Sequence, residues 1–141
     1  KITNETSLTK RVEAEDACFV RSNHTIETPD GASGGKSLGE MWEDTISFSF
    51  LSETEGNLTI RLGAANPTDI IVDDVVDTYF NDEKISTGLT INTGNWTNFE
   101  GFDIPVLQFR KGANVLRMTI KAKFANFDYV DFIINPSMTN K

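Results

Sequence analysis

Two glutamates near the start of the chain, Glu13 and Glu15, are the residues whose type and spacing point most directly to chemistry. In an extended strand, residues two apart project to the same face, which would set the two carboxylates side by side. Neighbouring carboxylates repel each other unless a cation lies between them, and a hard cation that takes oxygen ligands would suit this pair. The Gly-rich loop at 32–36 could fold over such an ion and offer it backbone carbonyls. On pattern alone, solvated glutamates on an edge strand are the preferred interpretation, because paired exposed acids are common.

Few other residues offer catalytic or redox chemistry. The only histidine, His24, has no Ser or Cys arrangement that would complete a catalytic triad, so we expect it at the surface. The only cysteine, Cys18, cannot form an internal disulfide, and its apolar neighbours predict a buried, inert thiol. The sequence contains no Cys/His cluster of the kind that binds zinc. It also lacks a Gly-rich phosphate-binding motif followed by a helix.

Length and charge narrow the possible classes of protein. The 141 residues suit one domain, and we expect a single module over 1–141 with its core at about 10–136. The net charge of −8, from 21 acids and 13 bases, repels nucleic acid and anionic membranes. It suits a neutral ligand, or an anionic one bridged by a cation. No apolar run is long enough to span a membrane, and the polar start suggests an excised module or mature fragment.

Alternating apolar and polar residues predict strands along most of the chain, and no stretch shows a convincing helical period. Asn81-Asp82 predicts a hairpin turn, and Pro105 predicts an edge strand or a bulge. Short strands separated by turn residues predict an all-β antiparallel sandwich, but alternation does not distinguish a jelly roll from an immunoglobulin-like topology. The strands are expected at 10–21 (one or two), 45–50, 58–64, 76–80, 85–91, 99–109, 115–121 and 129–134.

A series of seven short motifs runs along the chain from residue 12 to residue 134. They are Glu13-Ala14-Glu15-Asp16-Ala17 with Ala32-Ser33-Gly34-Gly35-Lys36, the strand at 45–50, the strand at 56–62 with Ala65-Asn66, Phe80-Asn81-Asp82, Thr93-Gly94-Asn95-Trp96 with Phe99, Gly112-Ala113-Asn114-Val115-Leu116, and Val130-Asp131-Phe132-Ile133. In order and spacing they resemble carbohydrate-binding modules of families 6 and 35. The chain departs from the family pattern with Leu58 in place of Tyr, Asp82 in place of Gly, and Phe99 in place of the second Trp.

The resemblance implies a β-jelly roll that binds sugar, catalyses nothing and carries a structural calcium ion. The implied calcium ligands are the side chains of Glu13, Glu15 and Asp131, with backbone oxygens near Ser33 and Lys36. Three carboxylates with carbonyls make a hard oxygen cage, and calcium accepts six to eight such ligands. The resemblance therefore reverses the preference for solvated glutamates, and the ion would tie the first strand to the last.

A sugar site needs an aromatic plate for the apolar face of a ring and polar groups for the hydroxyls. The only two tryptophans, Trp42 and Trp96, both fall in predicted loops and are the expected plates. For Trp96, a ring that merely caps the core is an equally good interpretation, whereas the acids around Trp42 favour a functional role.

The polar part of the site departs from the family pattern. The family's Asn contact lies two residues before the closing aspartate, and that position is Tyr129 here. Asn126 and Asp128 are close enough to substitute, and Tyr129 itself could stack or hydrogen-bond. An acidic loop with Asp73 and Asp74 could hold a second calcium ion near the ligand loops, although a solvated loop is the preferred interpretation.

Three functions are compatible with these observations. In the first, the chain is a non-catalytic module, monomeric within a larger multidomain protein, that directs a secreted or cell-surface bacterial glycoside-active enzyme to a polysaccharide or glycan. In the second, Glu13 and Glu15 are a glycosidase dyad, since same-face neighbours could meet the carboxyl spacing of about 5 Å that retaining enzymes need. In the third, the chain is a cell-surface adhesion or structural β-sandwich. The loop tryptophans favour the first over the third, and the small size of the domain disfavours the second.

Overall fold

The computed structural model describes residues 8–136 and consists mainly of β-strands. Residues 1–7 and 137–141 of the expected module lie outside this described part. Besides the strands it contains two 3-10 turns, Ala14–Asp16 and Ser33–Gly35, and one four-residue helix, α1 (Val72–Val75). The strands are β1 (Leu8–Glu13), β2 (Cys18–Phe19), β3 (Thr25–Glu27), β4 (Ser37–Gly39), β5 (Asp44–Ser52), β6 (Gly56–Ala65), β7 (Ile70–Ile71), β8 (Val76–Phe80), β9 (Glu83–Ile85), β10 (Thr90–Ile91), β11 (Glu100–Phe109), β12 (Gly112–Ile120) and β13 (Asn126–Pro136).

Two antiparallel sheets form a sandwich, as the alternation predicts. One sheet has the order β11-β6-β13-β4-β3, with β1 also paired to β13, and the other has the order β2-β5-β12-β8-β9. The short strands β7 and β10 pair with each other beside these sheets. Strand β13 pairs with β1, β4 and β6, so it fixes the positions of the first strand and of the Gly-rich loop that precedes β4.

Aromatic residues from both sheets meet in the core. Phe48 of β5 contacts Phe127 of β13 with ring centroids 5.6 Å apart, and Phe50 contacts Phe132 at 4.6 Å. Phe48 and Phe50 alternate with exposed or half-exposed residues along β5. Burial of a side chain of this size stabilises the folded state by about 1.5–3 kcal/mol relative to leaving it exposed. Among the described residues, no helix is long and apolar enough to cross a membrane.

The structure confirms two local predictions. Asn81 and Asp82 both adopt positive φ, 49° and 69°, as a tight hairpin turn between β8 and β9 requires. The register of β11 against β6 shifts between Ile104 and Leu107, which is the irregularity expected at Pro105.

Other local predictions are wrong. The single strand expected at 85–91 is two separate strands, β9 and β10. Cys18 is exposed, because β2 is a two-residue edge strand that turns this side chain away from the core. The prediction that His24 lies at the surface holds only in part, because the residue is partly exposed and its ring stacks on Phe19 with centroids 4.3 Å apart. Glu13 and Glu15 do not share a strand face, because β1 ends at Glu13 and the chain turns into the 3-10 segment Ala14–Asp16.

Candidate functional site

The Gly-rich loop folds over the two glutamates. Ala14 is buried between them and anchors the 3-10 turn that presents both carboxylates. Gly34 lies against this pair in the left-handed conformation, with φ 64°. A Cβ atom at Gly34 would stand 3.3 Å from Oε2 of Glu13 and 3.7 Å from Oε2 of Glu15. The turn therefore brings the two acids together under the loop, as expected, although not by strand geometry.

Asp128 supplies a third carboxylate at this place. The register of β13 against β6 shifts between Phe127 and Tyr129, so Asp128 is the extra residue of a β-bulge, a feature that commonly redirects a side chain. Its side chain is 1% exposed, and its Oδ2 accepts a hydrogen bond of 2.8 Å from the backbone N–H of Ser33. The Ser33 hydroxyl in turn donates to Oε2 of Glu13 at 2.9 Å. Ser33 thus links the carboxylate of the last strand to that of the first.

Each of the three carboxylates keeps one buried oxygen without a hydrogen-bond partner. These atoms are Oε1 of Glu13, Oε1 of Glu15 and Oδ1 of Asp128. Burial, and then repulsion by the two glutamates, raises the pKa of Asp128 from 3.8 to about 6. Burial, and then the charges of Glu13 and Asp16, also raises the pKa of Glu15. Buried polar atoms are almost always satisfied in folded proteins, so this cluster of acceptors fits a bound cation.

The carboxylates by themselves do not make a complete cage. Within residues 8–136, no three His, Cys, Asp or Glu side chains are arranged so that they alone could hold a metal ion. A calcium ion takes six to eight oxygen ligands and commonly includes backbone carbonyls, so a site here needs oxygens from the loop as well. The carbonyl of Ser33 already accepts a long hydrogen bond of 3.5 Å from the N–H of Lys36, which closes the second 3-10 turn.

Asp131, the aspartate expected to bind the metal, has a different partner in the structure. Arg11 donates to both of its carboxylate oxygens, at 2.7 and 2.8 Å, and this contact raises the pKa of the guanidinium. Because both oxygens face a fixed cation, the geometry does not support Asp131 as a metal ligand. The free carboxylate oxygen belongs to Asp128 instead.

Tyr129, Asp128 and Asn126 are not open to a sugar in this structure. The Tyr129 ring packs against Gly63 so closely that a Cβ there would collide with it, and Arg11 covers its other side at 3.7 Å from the ring centroid. Asp128 is buried beside the glutamates. Asn126 is only 7% exposed, and its amide donates to the carbonyl of Trp96 at 2.8 Å.

The two tryptophans are exposed at loops, as predicted. Trp42 is 50% exposed and Trp96 is 42% exposed. Trp42 lies with Glu40 and Lys123 along an open groove of about 340 Å³, and the Lys123 ammonium stands 5.4 Å from the centroid of the Trp96 ring. One lysine therefore links the surroundings of both rings. Sequence analysis missed Lys123, and its place in the exposed segment 121–123 between β12 and β13 is consistent with a surface role.

In the acidic loop considered for a second calcium ion, Asp73 is hydrogen-bonded to the neighbouring segment of the chain. The Asp73 carboxylate accepts hydrogen bonds from the Ser86 hydroxyl, from the N–H and hydroxyl of Thr87 and from the Gly88 N–H. Partial burial acts to raise the pKa of Asp73, but these hydrogen bonds outweigh it and lower the pKa overall. This arrangement accounts for Asp73 without a metal ion.

The fold is similar to solved structures of carbohydrate-binding modules. A family 35 module from Clostridium thermocellum matches with a TM-score of 0.73 and 23% identity over 89% of this chain and 97% of that one. The family 35 module of Paenibacillus barcinonensis matches with a TM-score of 0.69 and 19% identity over 94% of this chain and 99% of that one. These matches confirm the jelly-roll fold expected from the family 6 and 35 resemblance.

A larger protein contains the same fold as one of its parts. The GH26-CBM35 β-(1,4)-mannanase of Podospora anserina matches 92% of this chain with a TM-score of 0.71 and 18% identity, and the match covers 28% of the mannanase. No family sequence model matches the chain, and a sequence search of curated proteins gives no match either. The likeness therefore concerns three-dimensional structure.

Proposed function

We propose that the protein is a non-catalytic, calcium-containing carbohydrate-binding module that serves a secreted or cell-surface glycoside-active enzyme. The observation that carries this proposal is the pair of exposed loop tryptophans, Trp42 and Trp96, joined by Lys123 on a family 35 type of jelly roll. Exposed apolar surface that is rimmed by polar side chains is typical of a ligand-binding groove. The open groove along Trp42, Glu40 and Lys123 suits an extended or terminal sugar better than an enclosed small molecule.

The side chains at this surface would contact different parts of a bound sugar. Each indole ring offers a flat apolar face to the C–H surface of a pyranose, and a Trp ring contributes a large contact area at little entropic cost. The Lys123 ammonium donates hydrogen bonds to sugar oxygens, and the Glu40 carboxylate accepts them from hydroxyls. Thr25 holds Glu40 in place through a hydrogen bond of 2.7 Å. The site is shallow, so we expect modest affinity.

The proposed calcium site has Glu13, Glu15 and Asp128 as its carboxylate ligands, with backbone oxygens near Ser33 and Lys36. This replaces Asp131 of the sequence-based expectation, on the strength of the unpartnered oxygen of Asp128 and the Arg11 contact of Asp131. Calcium would supply positive charge to the buried oxygens. The chain's own residues would then connect β1, the Gly-rich loop and β13 around that charge.

The burial of carboxylate oxygens of Glu13 and Glu15 argues against a glycosidase dyad at these two residues. Oε1 of Glu13 and Oε1 of Glu15 have no exposure to solvent, and the Gly-rich loop lies over both side chains. A substrate would need direct access to both carboxyl groups. The two glutamates are therefore better suited to an ion than to a glycosidic bond.

The test is a glycan-array or affinity-gel screen with wild type, Trp42→Ala, Trp96→Ala and the control Leu51→Ala, which removes an exposed apolar residue of the five-stranded sheet. We expect each tryptophan variant to lose binding by about 30-fold or more, because a central aromatic contact is worth about 2 kcal/mol or more. The control should bind normally, and melting temperatures should change little. Normal binding by both tryptophan variants would refute this site. A wild-type protein that binds calcium but no glycan would instead favour the adhesion or structural function.

A further inference from the structure

Two residues contact the backbone of the Trp96 loop, and both are close in sequence to residues of the proposed calcium site. On one side, the Asn126 amide of β13 donates to the Trp96 carbonyl at 2.8 Å across 30 residues of sequence. On the other side, a Cβ atom at Gly31 would stand 3.1 Å from the carbonyl oxygen of Thr97, so the residue just before the Gly-rich loop packs directly against the residue that follows Trp96. The backbone on either side of the Trp96 side chain is therefore supported by β13 and by Gly31.

Both contacting residues, Asn126 and Gly31, are connected to Asp128 through short stretches of chain. Asn126 lies two residues before Asp128 on the same strand, and Gly31 lies two residues before Ser33, whose N–H donates to Asp128. Short backbone hydrogen-bonded turns, from Ala32 to Pro29 and from Gly35 to Ala32, stiffen the intervening loop. A shift of Asp128 relative to the loop would therefore reach the Trp96 backbone by either route.

We infer that Asn126 and Gly31 are positioning residues for Trp96, and that calcium binding at Glu13, Glu15 and Asp128 strengthens sugar binding through them. This inference rests on the proposed function. Asn126 is only 7% exposed and one of its amide N–H groups donates to the Trp96 carbonyl, so we assign it the role of positioning the tryptophan. By linkage, sugar binding must raise calcium affinity by the same factor, typically about fivefold or more.

The first test separates positioning from general stability. Asn126→Leu removes the amide donor at nearly constant volume, and Gly31→Ala adds a methyl group that presses on Thr97. The control is Asn114→Leu, because Asn114 is also buried and its amide also donates to a main-chain carbonyl, that of Arg110, in a different turn. In protein that retains Trp42 and Trp96, we expect Asn126→Leu and Gly31→Ala to raise the dissociation constant for sugar about fivefold or more relative to the control. Equal losses in all three would overturn the inference.

A spectroscopic test follows Trp96 directly and needs no sugar. In a Trp42→Phe background Trp96 is the only tryptophan, and its emission and its quenching by acrylamide report the order of its loop. We expect calcium to reduce quenching over the same concentration range in which it raises the melting temperature. Adding Asn126→Leu should keep the calcium-induced melting shift and abolish the change in quenching.

The outcomes distinguish this inference from the proposed function. If calcium raises the melting temperature but leaves Trp96 quenching unchanged, the coupling is refuted and the calcium site stands. If calcium changes neither, the calcium part of the proposed function fails and the coupling fails with it. If wild type binds no sugar, the sugar function fails, and quenching in Asn126→Leu still decides whether Asn126 positions Trp96.

Discussion

Replacing Asp128 with Asn should stabilise the chelated protein and weaken the stabilisation that calcium provides. In chelated protein the Asp128 carboxylate is buried beside Glu13 and Glu15, with one oxygen unpartnered. Asn has the same shape and can still accept the hydrogen bond from Ser33, but it carries no charge. The variant should therefore be more stable than wild type in chelator. Calcium should also raise the stability of the variant by less than that of wild type, because a neutral amide is a weaker calcium ligand than a carboxylate.

The size of the first effect follows from the pKa of Asp128. Burial and the two glutamates raise this pKa from 3.8 to about 6, so the folded chelated protein holds a proton more tightly than the unfolded chain. Asp128 therefore destabilises the chelated protein at pH 7.5, and the lost stability returns as the pH falls from about 6 towards 3.8. At 1.36 kcal/mol per pKa unit the penalty is about 3 kcal/mol. This is an upper value for the gain from Asp128→Asn at pH 7.5.

The second effect follows from mass action. Calcium at 100 times its dissociation constant stabilises the folded protein by about 2.7 kcal/mol. If Asn weakens calcium binding 100-fold, the same calcium concentration stabilises the variant by only about 0.4 kcal/mol. The stability advantage of Asp128→Asn in chelator should therefore shrink by about 2 kcal/mol or more when calcium is added.

The assay is urea unfolding at pH 7.5 in chelator and in excess calcium, with Asp131→Asn as the matched control. Asp131→Asn breaks the contact with Arg11, so it should destabilise the protein in both conditions and keep the full calcium response. The reasoning is refuted if Asp128→Asn lowers stability in chelator and leaves the calcium response intact. If Asp131→Asn is the variant that loses the response, the original assignment of the ligand is correct.

Two further predictions concern single side chains. Lys123→Met keeps the aliphatic stem over Trp96 but removes the ammonium, so glycan affinity should fall several-fold while the calcium-induced melting shift is unchanged; an unaltered dissociation constant in calorimetry would exclude Lys123 from the site. The lowered pKa of Asp73 means that this carboxylate stabilises the folded protein at neutral pH and loses that contribution as the pH falls through its folded pKa, below 3.8. Asp73→Asn should therefore flatten the decline of the urea midpoint between pH 6 and pH 3, and an unchanged slope would contradict this role.

The sheets could be predicted because their strands have one buried and one exposed face. In β5 and β12, apolar and polar residues alternate over almost the whole strand, and the two strands pair in one continuous register from Asp44 to Ser52. Alternation of this kind identifies both the strand and its inward face. The exposure of Trp42 and Trp96 could be predicted for the complementary reason, since neither takes part in such an alternation.

The cluster of Glu13, Glu15 and Asp128 could be predicted only in part, because local irregularities in the backbone position these side chains. Glu15 approaches Glu13 through a 3-10 turn anchored by the buried Ala14, and no period in the sequence marks that turn. Asp128 sits in a β-bulge, where the period of two along β13 is interrupted. A strand pattern assumes an uninterrupted register, so it assigns the faces of Tyr129 and Asp131 but not that of Asp128.

The proposed choice of Asp128 over Asp131 changes how the chain compares with the family pattern. The closing motif was matched on Val130-Asp131-Phe132-Ile133, but Phe127-Asp128-Tyr129-Val130 has the same order of apolar, acidic, aromatic and apolar residues. The two alignments differ by three residues, and side-chain chemistry distinguishes them, because Arg11 occupies both oxygens of Asp131 whereas Asp128 keeps one free. If Asp128 is the closing carboxylate, the residue two positions earlier is Asn126, which is the residue type that the resemblance predicts there. One amide N–H of Asn126 donates to the Trp96 carbonyl, so we expect its contribution to sugar binding to be measurable as the order of the Trp96 loop and as the response of that loop to calcium.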